Sequence, residues 1–115
     1  MLDSVTSTAL SSALDGLALR QRSIAENIAN VNTPDYQAKR VLFEDRLRSA
    51  VAAGDGGVTA TVERSLEPTR TNGNNVNLDT ETLSNIDTVL RYQFAAQALS
   101  GQAASITKAI GQASA

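Results

Sequence analysis

The spacing of large apolar residues at the two ends of this chain constrains its fold more than any other feature. Between Val5 and Val31 they fall at Leu10, Leu14, Leu17, Ile24, Ile28 and Val31. The steps alternate four and three once Gln21 is counted as the missing member. That is the seven-residue repeat of a coiled-coil seam along one side of a helix. Ala9, Ala13, Ala18, Ala25 and Ala29 widen the stripe. About 27 residues at 1.5 Å each give a helix of roughly 40 Å. The other end repeats the pattern. Asp79 in "NLDTETL" suits an N-cap, with Glu81 at the positive end of the helix dipole and Leu78 and Leu83 spaced as a hydrophobic staple. The helix is expected from about Thr80 to Gly111 or Gln112. Leu83, Ile86, Leu90 and Phe94 make one stripe; Ala96, Leu99, Ala103, Ile106, Ile110 and Ala113 make a second. Their registers differ, which predicts a stutter near residues 90–96. Gly101 costs this helix about 1 kcal/mol relative to Ala unless a neighbour packs against it.

Two long helices with matching seams predict a mainly all-α fold, an antiparallel hairpin or coiled coil. The N-terminal helix lies in 1–33 and the C-terminal helix in 78–115 of a single subunit, with 34–77 as a loop-rich insertion. The seam is expected to set Leu10, Leu14, Leu17, Ile24 and Ile28 against Leu90, Phe94, Leu99, Ile106 and Ile110. Within the insertion, "VLFEDRLRSAVAA" spaces Phe43, Leu47, Ala50 and Val51 as a short helix. "GDGG" turns, and the alternation of Val58, Ala60 and Val62 predicts a short strand, half of a hairpin. After Arg91 the only charged side chain is Lys108. A solvated helix face ordinarily carries more charge, so the hairpin is expected to pack against other copies or partners on several sides.

Composition removes whole classes of function. The chain has 115 residues, no cysteine and no histidine. There is therefore no disulfide framework, no thiolate site and no Ser-His pair. Neither a catalytic, a metal nor a cofactor site is expected. Glu44-Asp45 reads as a solvated helix face, and "GDGG" lacks the Lys-Ser/Thr of a phosphate loop. The formal net charge is -2, without the basic excess of a nucleic-acid binder. No apolar run reaches the roughly 18 residues of a membrane span. The N-terminus lacks a basic n-region, and Asp15 interrupts its apolar stretch, so it is read as mature helix rather than a cleaved signal.

Two stretches remain. "ENIANVNTPDY" (26–36) ends the first helix with three asparagines and a proline, which is ordinary helix-stop chemistry when taken alone. "NGNNVNLD" (72–79) is a polar turn followed by a cap. Their placement at the inner ends of two long helices gives them a joint meaning. Asn27, Asn30 and Asn75 are expected to hydrogen-bond backbone groups that fix the helix ends and the crossing loop.

"RQRSIAENIANVNTPDYQAKRVLFEDRL" resembles the N-terminal pattern of flagellar rod and hook proteins, roughly I-A-x-N-I-A-N-x-x-T-P-G-Y. The residues that match are Ile24, Ala25, Asn27, Ile28, Ala29, Asn30, Thr33, Pro34 and Tyr36. Phe43 soon after it, and Asn72, Gly73, Asn74, Asn75 and Val76 ahead of the Asp79 helix start, narrow the likeness to proximal-rod proteins of the FlgB type. One position departs: Asp35 stands where the family pattern has Gly. The resemblance implies a structural subunit of the bacterial flagellar basal-body rod, the periplasmic drive shaft that transmits motor torque. It also implies polymerisation through the terminal helices and export through the flagellar type III apparatus without a cleaved signal. The neighbours it implies are other copies, a FlgC-type proximal-rod protein and a FliE-type adaptor near the MS ring. A soluble helical adaptor or export chaperone, working as a small oligomer, is the competing reading.

Overall fold

A computed structural model describes the backbone of residues 2–113, and side chains over 5–111 apart from Ile106 and Ala109. The order is α1 (Leu2–Ala29), β1 (Lys39–Leu42), α2 (Glu44–Ala52), β2 (Thr61–Arg64) and α3 (Leu78–Ala113). The molecule measures 69 × 25 × 14 Å, with a radius of gyration of 18.1 Å. A compact domain of this length would have about 13 Å. The elongation comes from α3, whose 36 residues span about 54 Å.

α1 and α3 lie side by side in opposite directions. Asn27 of α1 donates to Glu81 at one end, and Ser7 donates to Gln102 at the other. On α1, Leu17 and Ile24 are buried, Leu10 and Leu14 are half-buried, and Ile28 stands at the margin. α3 behaves differently. Its buried or half-buried series toward α1 is Glu81, Thr88, Ala95 and Gln102, seven residues apart throughout. This series crosses residues 88–95 without the expected register shift. Its middle members, Thr88 and Ala95, are small and buried. The Thr88 hydroxyl donates to the Ser84 carbonyl at 2.6 Å, so its burial orphans no polar group.

The expected seam is therefore corrected on the α3 side. Leu90, Phe94 and Ile110 are exposed, as are Leu83 and Ile86, while Leu99 is half-buried. The Ile106 side chain lies outside the described residues. The strongest apolar stripe of α3 points away from α1, because spacing reveals that a stripe exists but not which element covers it. The helix start is corrected too. Asn77, not Asp79, is the N-cap: its side-chain oxygen accepts from the Thr80 amide at 3.2 Å. Asp79 lies in the first turn, and Leu78 and Leu83 are too exposed to form a staple. α1 leaves its helix at Ala29, two residues before Val31.

The cluster of buried apolar side chains forms where 39–61 packs on α1. β1 and β2 pair antiparallel, Lys39 opposite Arg64 and Leu42 opposite Thr61. Leu17, Val41 and Phe43 form the cluster, with Ala13, Leu19, Leu47, Val58 and Ala60 against it. Gly16 makes room for it: a Cβ there would fall 2.5 Å from the Phe43 ring. Two side chains of α1 hold the insertion down. Arg20 donates to the Val41 carbonyl at 2.7 Å, pairs with Glu44 and lies 5.0 Å over the Phe43 ring. Ser12 donates to the Gly56 carbonyl at 2.8 Å and accepts from the Val58 amide at 3.1 Å. Burial alone would push the Glu44 carboxyl up, but the hydrogen bond and charge of Arg20 outweigh it and hold the group below its ordinary value.

Candidate functional site

The two asparagine-rich stretches meet at the inner end of the hairpin. Asn27, fully buried on the last turns of α1, uses all four of its hydrogen-bonding positions. Its amide donates to the Lys39 carbonyl and to Glu81, each at 3.0 Å. Its carbonyl accepts from the Lys39 amide at 2.9 Å and the Tyr36 hydroxyl at 3.2 Å. One side chain thus extends the edge of β1 as a further strand would and ties it to both long helices. Burial raises the Tyr36 phenol above its ordinary value, with Lys39 working against that, so the phenol remains a donor at neutral pH.

The second stretch closes the end of α1. A helix leaves its last carbonyls without intrahelical partners. Asn74, also fully buried, donates to the carbonyls of Asn30 and Thr33, both at 2.8 Å, and accepts from the Val76 amide. Arg70 bridges the carbonyls of Val31 and Val76. Asn75 accepts from the Ala38 amide at 2.6 Å and donates to the carbonyls of Ser65 and Glu67. Asn30 is more exposed and acts locally, donating to the Glu26 carbonyl and accepting from Thr33. Asn72 accepts the Asp35 amide on its carbonyl at 2.9 Å and the Asn74 amide on its side chain at 3.1 Å.

Asp35, at the family's glycine position, has φ 60, and Gly73 beside it has φ 81. The backbones approach so closely that a Cβ on Gly73 would fall 2.2 Å from the Asp35 carboxylate. The left-handed turn is therefore kept despite the missing glycine, as an aspartate tolerates better than most residues.

The remaining motif residues are placed simply. Ile24 and Val76 are buried; Ala25, Ala29, Pro34 and Asp79 are exposed. Sequence reasoning assigned no role to Arg70 or Ser12, placed Glu81 only in a helix start, and grouped Arg20 with Arg22, Lys39 and Arg40 as solvent or subunit contacts, whereas Arg20 is held inside the chain by Val41 and Glu44. Glu81 is buried at the junction with Asn27 as its donor, and burial raises its carboxyl above the ordinary value. Its seven-residue spacing from Thr88, Ala95 and Gln102 is the signal that could have placed it on the seam. Most of the side-chain hydrogen bonds in the junction go to backbone groups. Such an arrangement sets how the chain leaves one long helix and enters the other.

No protein-family profile matches the chain. Individual relatives do. A flagellar basal body rod protein FlgB from Escherichia coli K12 is 31% identical over 113 residues, covering 78% of this chain and 81% of the relative. The FlgB of Bacillus subtilis 168 is 29% identical over 110 residues, covering 81% and 83%. That of Borreliella burgdorferi B31 is 28% identical over 102 residues, covering 69% and 76%. The match runs along most of each chain in bacteria of very different kinds, and this protein belongs to the FlgB family of flagellar basal body rod proteins.

Proposed function

We propose that the chain is a structural subunit of the proximal part of the flagellar basal-body rod, assembling through its long helices into the shaft that transmits motor torque. The observation that carries this reading is the match to FlgB proteins over 78% and 81% of the chain. Its shape supports the same role. A thin hairpin with most of its apolar α3 stripe outside buries too little surface on its own and gains the rest by lateral packing. Its work is positional rather than catalytic. A small soluble adaptor is not favoured by these relatives.

The finer assignments follow from the family resemblance. The subunit is exported through the flagellar type III apparatus and takes its place in the periplasmic rod. Its neighbours there are other copies, a FlgC-type rod protein and a FliE-type adaptor near the MS ring. The helices supercoil about each other as the heptad spacing on both directs. Replacing the resident FlgB of a flagellated bacterium with this chain tests the reading. Swimming should return, and the chain should copurify with basal bodies at several copies per rod. Normal expression without incorporation would refute it.

A further inference from the structure

The ridge of α3 that faces away from α1 carries Leu83, Ile86, Leu90 and Phe94, which are 68%, 54%, 61% and 75% exposed. It runs about 16 Å along the helix. The chain exposes 7550 Å², whereas a folded monomer of 12.1 kDa would expose about 6000 Å². The excess is comparable to the roughly 1,600 Å² that a stable pair of proteins buries in total. α1 offers the complementary shape. Ser11, Ala18 and Ala25, seven residues apart, form a low face that the chain's own α3 and insertion leave uncovered or partly covered.

We infer that the Leu83–Phe94 ridge of one copy docks on the Ser11–Ala18–Ala25 face of the α1 of a second copy. This inference rests on the rod reading above and adds the contact surface to it. Within one chain Leu83, Ile86, Leu90 and Phe94 lie on the side of α3 turned away from α1, so the ridge does not meet the chain's own α1. The contact is therefore heterologous, and repeating it builds an open row of subunits instead of a closed pair, as a shaft requires. A ridge-to-ridge contact would stop at a dimer. Charge fixes the direction. Asp87 and Arg91, an ion pair 2.9 Å apart on α3, flank the ridge, and Asp15 and Arg22 flank the low face. Running α3 antiparallel to the neighbouring α1 brings Asp87 toward Arg22 and Arg91 toward Asp15. The parallel run would oppose like charges.

The chain has no native cysteine, so introduced pairs report unambiguously. Leu90→Cys with Ala18→Cys, and separately Leu83→Cys with Ala25→Cys, are expressed beside the unmodified chain in a flagellated host. Basal bodies are then oxidised and run on a non-reducing gel. The expected result is a ladder of covalent dimers and higher multiples that needs both cysteines of a pair. A covalent dimer from Leu90→Cys alone, a bond to a different protein, or no ladder from either pair overturns the inference while leaving the rod reading intact. Absence of the unmodified chain from basal bodies overturns the rod reading instead. As a second measurement, Leu90→Glu with Phe94→Glu should lower incorporation at least tenfold with the helical circular dichroism of the free chain unchanged. Incorporation at the unmodified level would count against the ridge.

Discussion

At the scale of single residues, the junction turns on groups whose loss strands several partners at once. Asn27→Ala would leave the Lys39 amide and carbonyl, the Tyr36 hydroxyl and Glu81 short of a partner in a buried site. Each stranded group costs about 1–3 kcal/mol, so urea denaturation should show a loss of at least about 3 kcal/mol. Glu81 works the other way. Its folded carboxyl is raised by burial, so its charged form opposes folding at neutral pH. That opposition lifts as pH falls through the folded value and is gone below the ordinary one. Glu81→Gln keeps an acceptor for Asn27 without the charge. It should raise the melting temperature at pH about 7 and remove the gain that the native chain shows on mild acidification. Glu44 has the opposite sign: its contribution is present above the ordinary carboxyl value and lost as pH falls through its depressed folded one. The Asp35–Gly73 contact predicts coupling. Gly73→Ala alone should cost about 2 kcal/mol or more, from its positive φ and the clash with the Asp35 carboxylate. In an Asp35→Gly background the carboxylate clash is gone while backbone strain and the tight 3.2 Å approach to the residue-35 Cα remain, so a double-mutant cycle should return a coupling of about 1 kcal/mol. The asparagines were legible because those residue types gather at helix ends. Their partners were not, since Asn27 and Glu81 stand 54 positions apart and no local pattern links them.

At the scale of elements, the existence of both long helices was readable and the faces they bury were not. The α1 stripe pointed inward as its spacing implied for Leu17 and Ile24. The α3 stripe pointed outward, and the helix turned to its neighbour a series containing Glu, Thr and Gln that a search for large apolar residues passes over. β1 was hidden in a stretch whose Phe43 and Leu47 fit helical spacing; α2 does begin at Glu44, but the preceding residues are drawn into a strand by β2 and by the Asn27 and Arg20 side chains along its edge. The packing of this hairpin on α1 depends on Gly16. Gly16→Ala would favour the isolated helix by about 1 kcal/mol yet drive a methyl into the Phe43 ring. A net loss of about 1–3 kcal/mol is expected, as for other overpacked cores. Adding Phe43→Leu should recover part of it, which thermal melts of the single and double variants would reveal.

At the scale of the whole molecule, the strong polar fixings lie toward one end. Asn27, Asn74, Asn75 and Arg70 gather where α1 ends and α3 begins, whereas near the far end Ser7 donates to Gln102 across the helices. The asparagines marked the inner end in the sequence, but the seam spacing, with its expected stutter near residues 90–96, carried no sign of how firmly the far end is held. Amide hydrogen exchange should grade accordingly, slowest near residues 24–28 and 81–88 and faster toward residues 5–8 and 100–104; a flat profile would contradict it. Mechanically, the hairpin is a cantilever. Its clamp holds the two helices at a set angle, and bending compliance grows with distance from that clamp. A row of such beams can absorb small misalignments between successive subunits near their tips while passing twist through their roots.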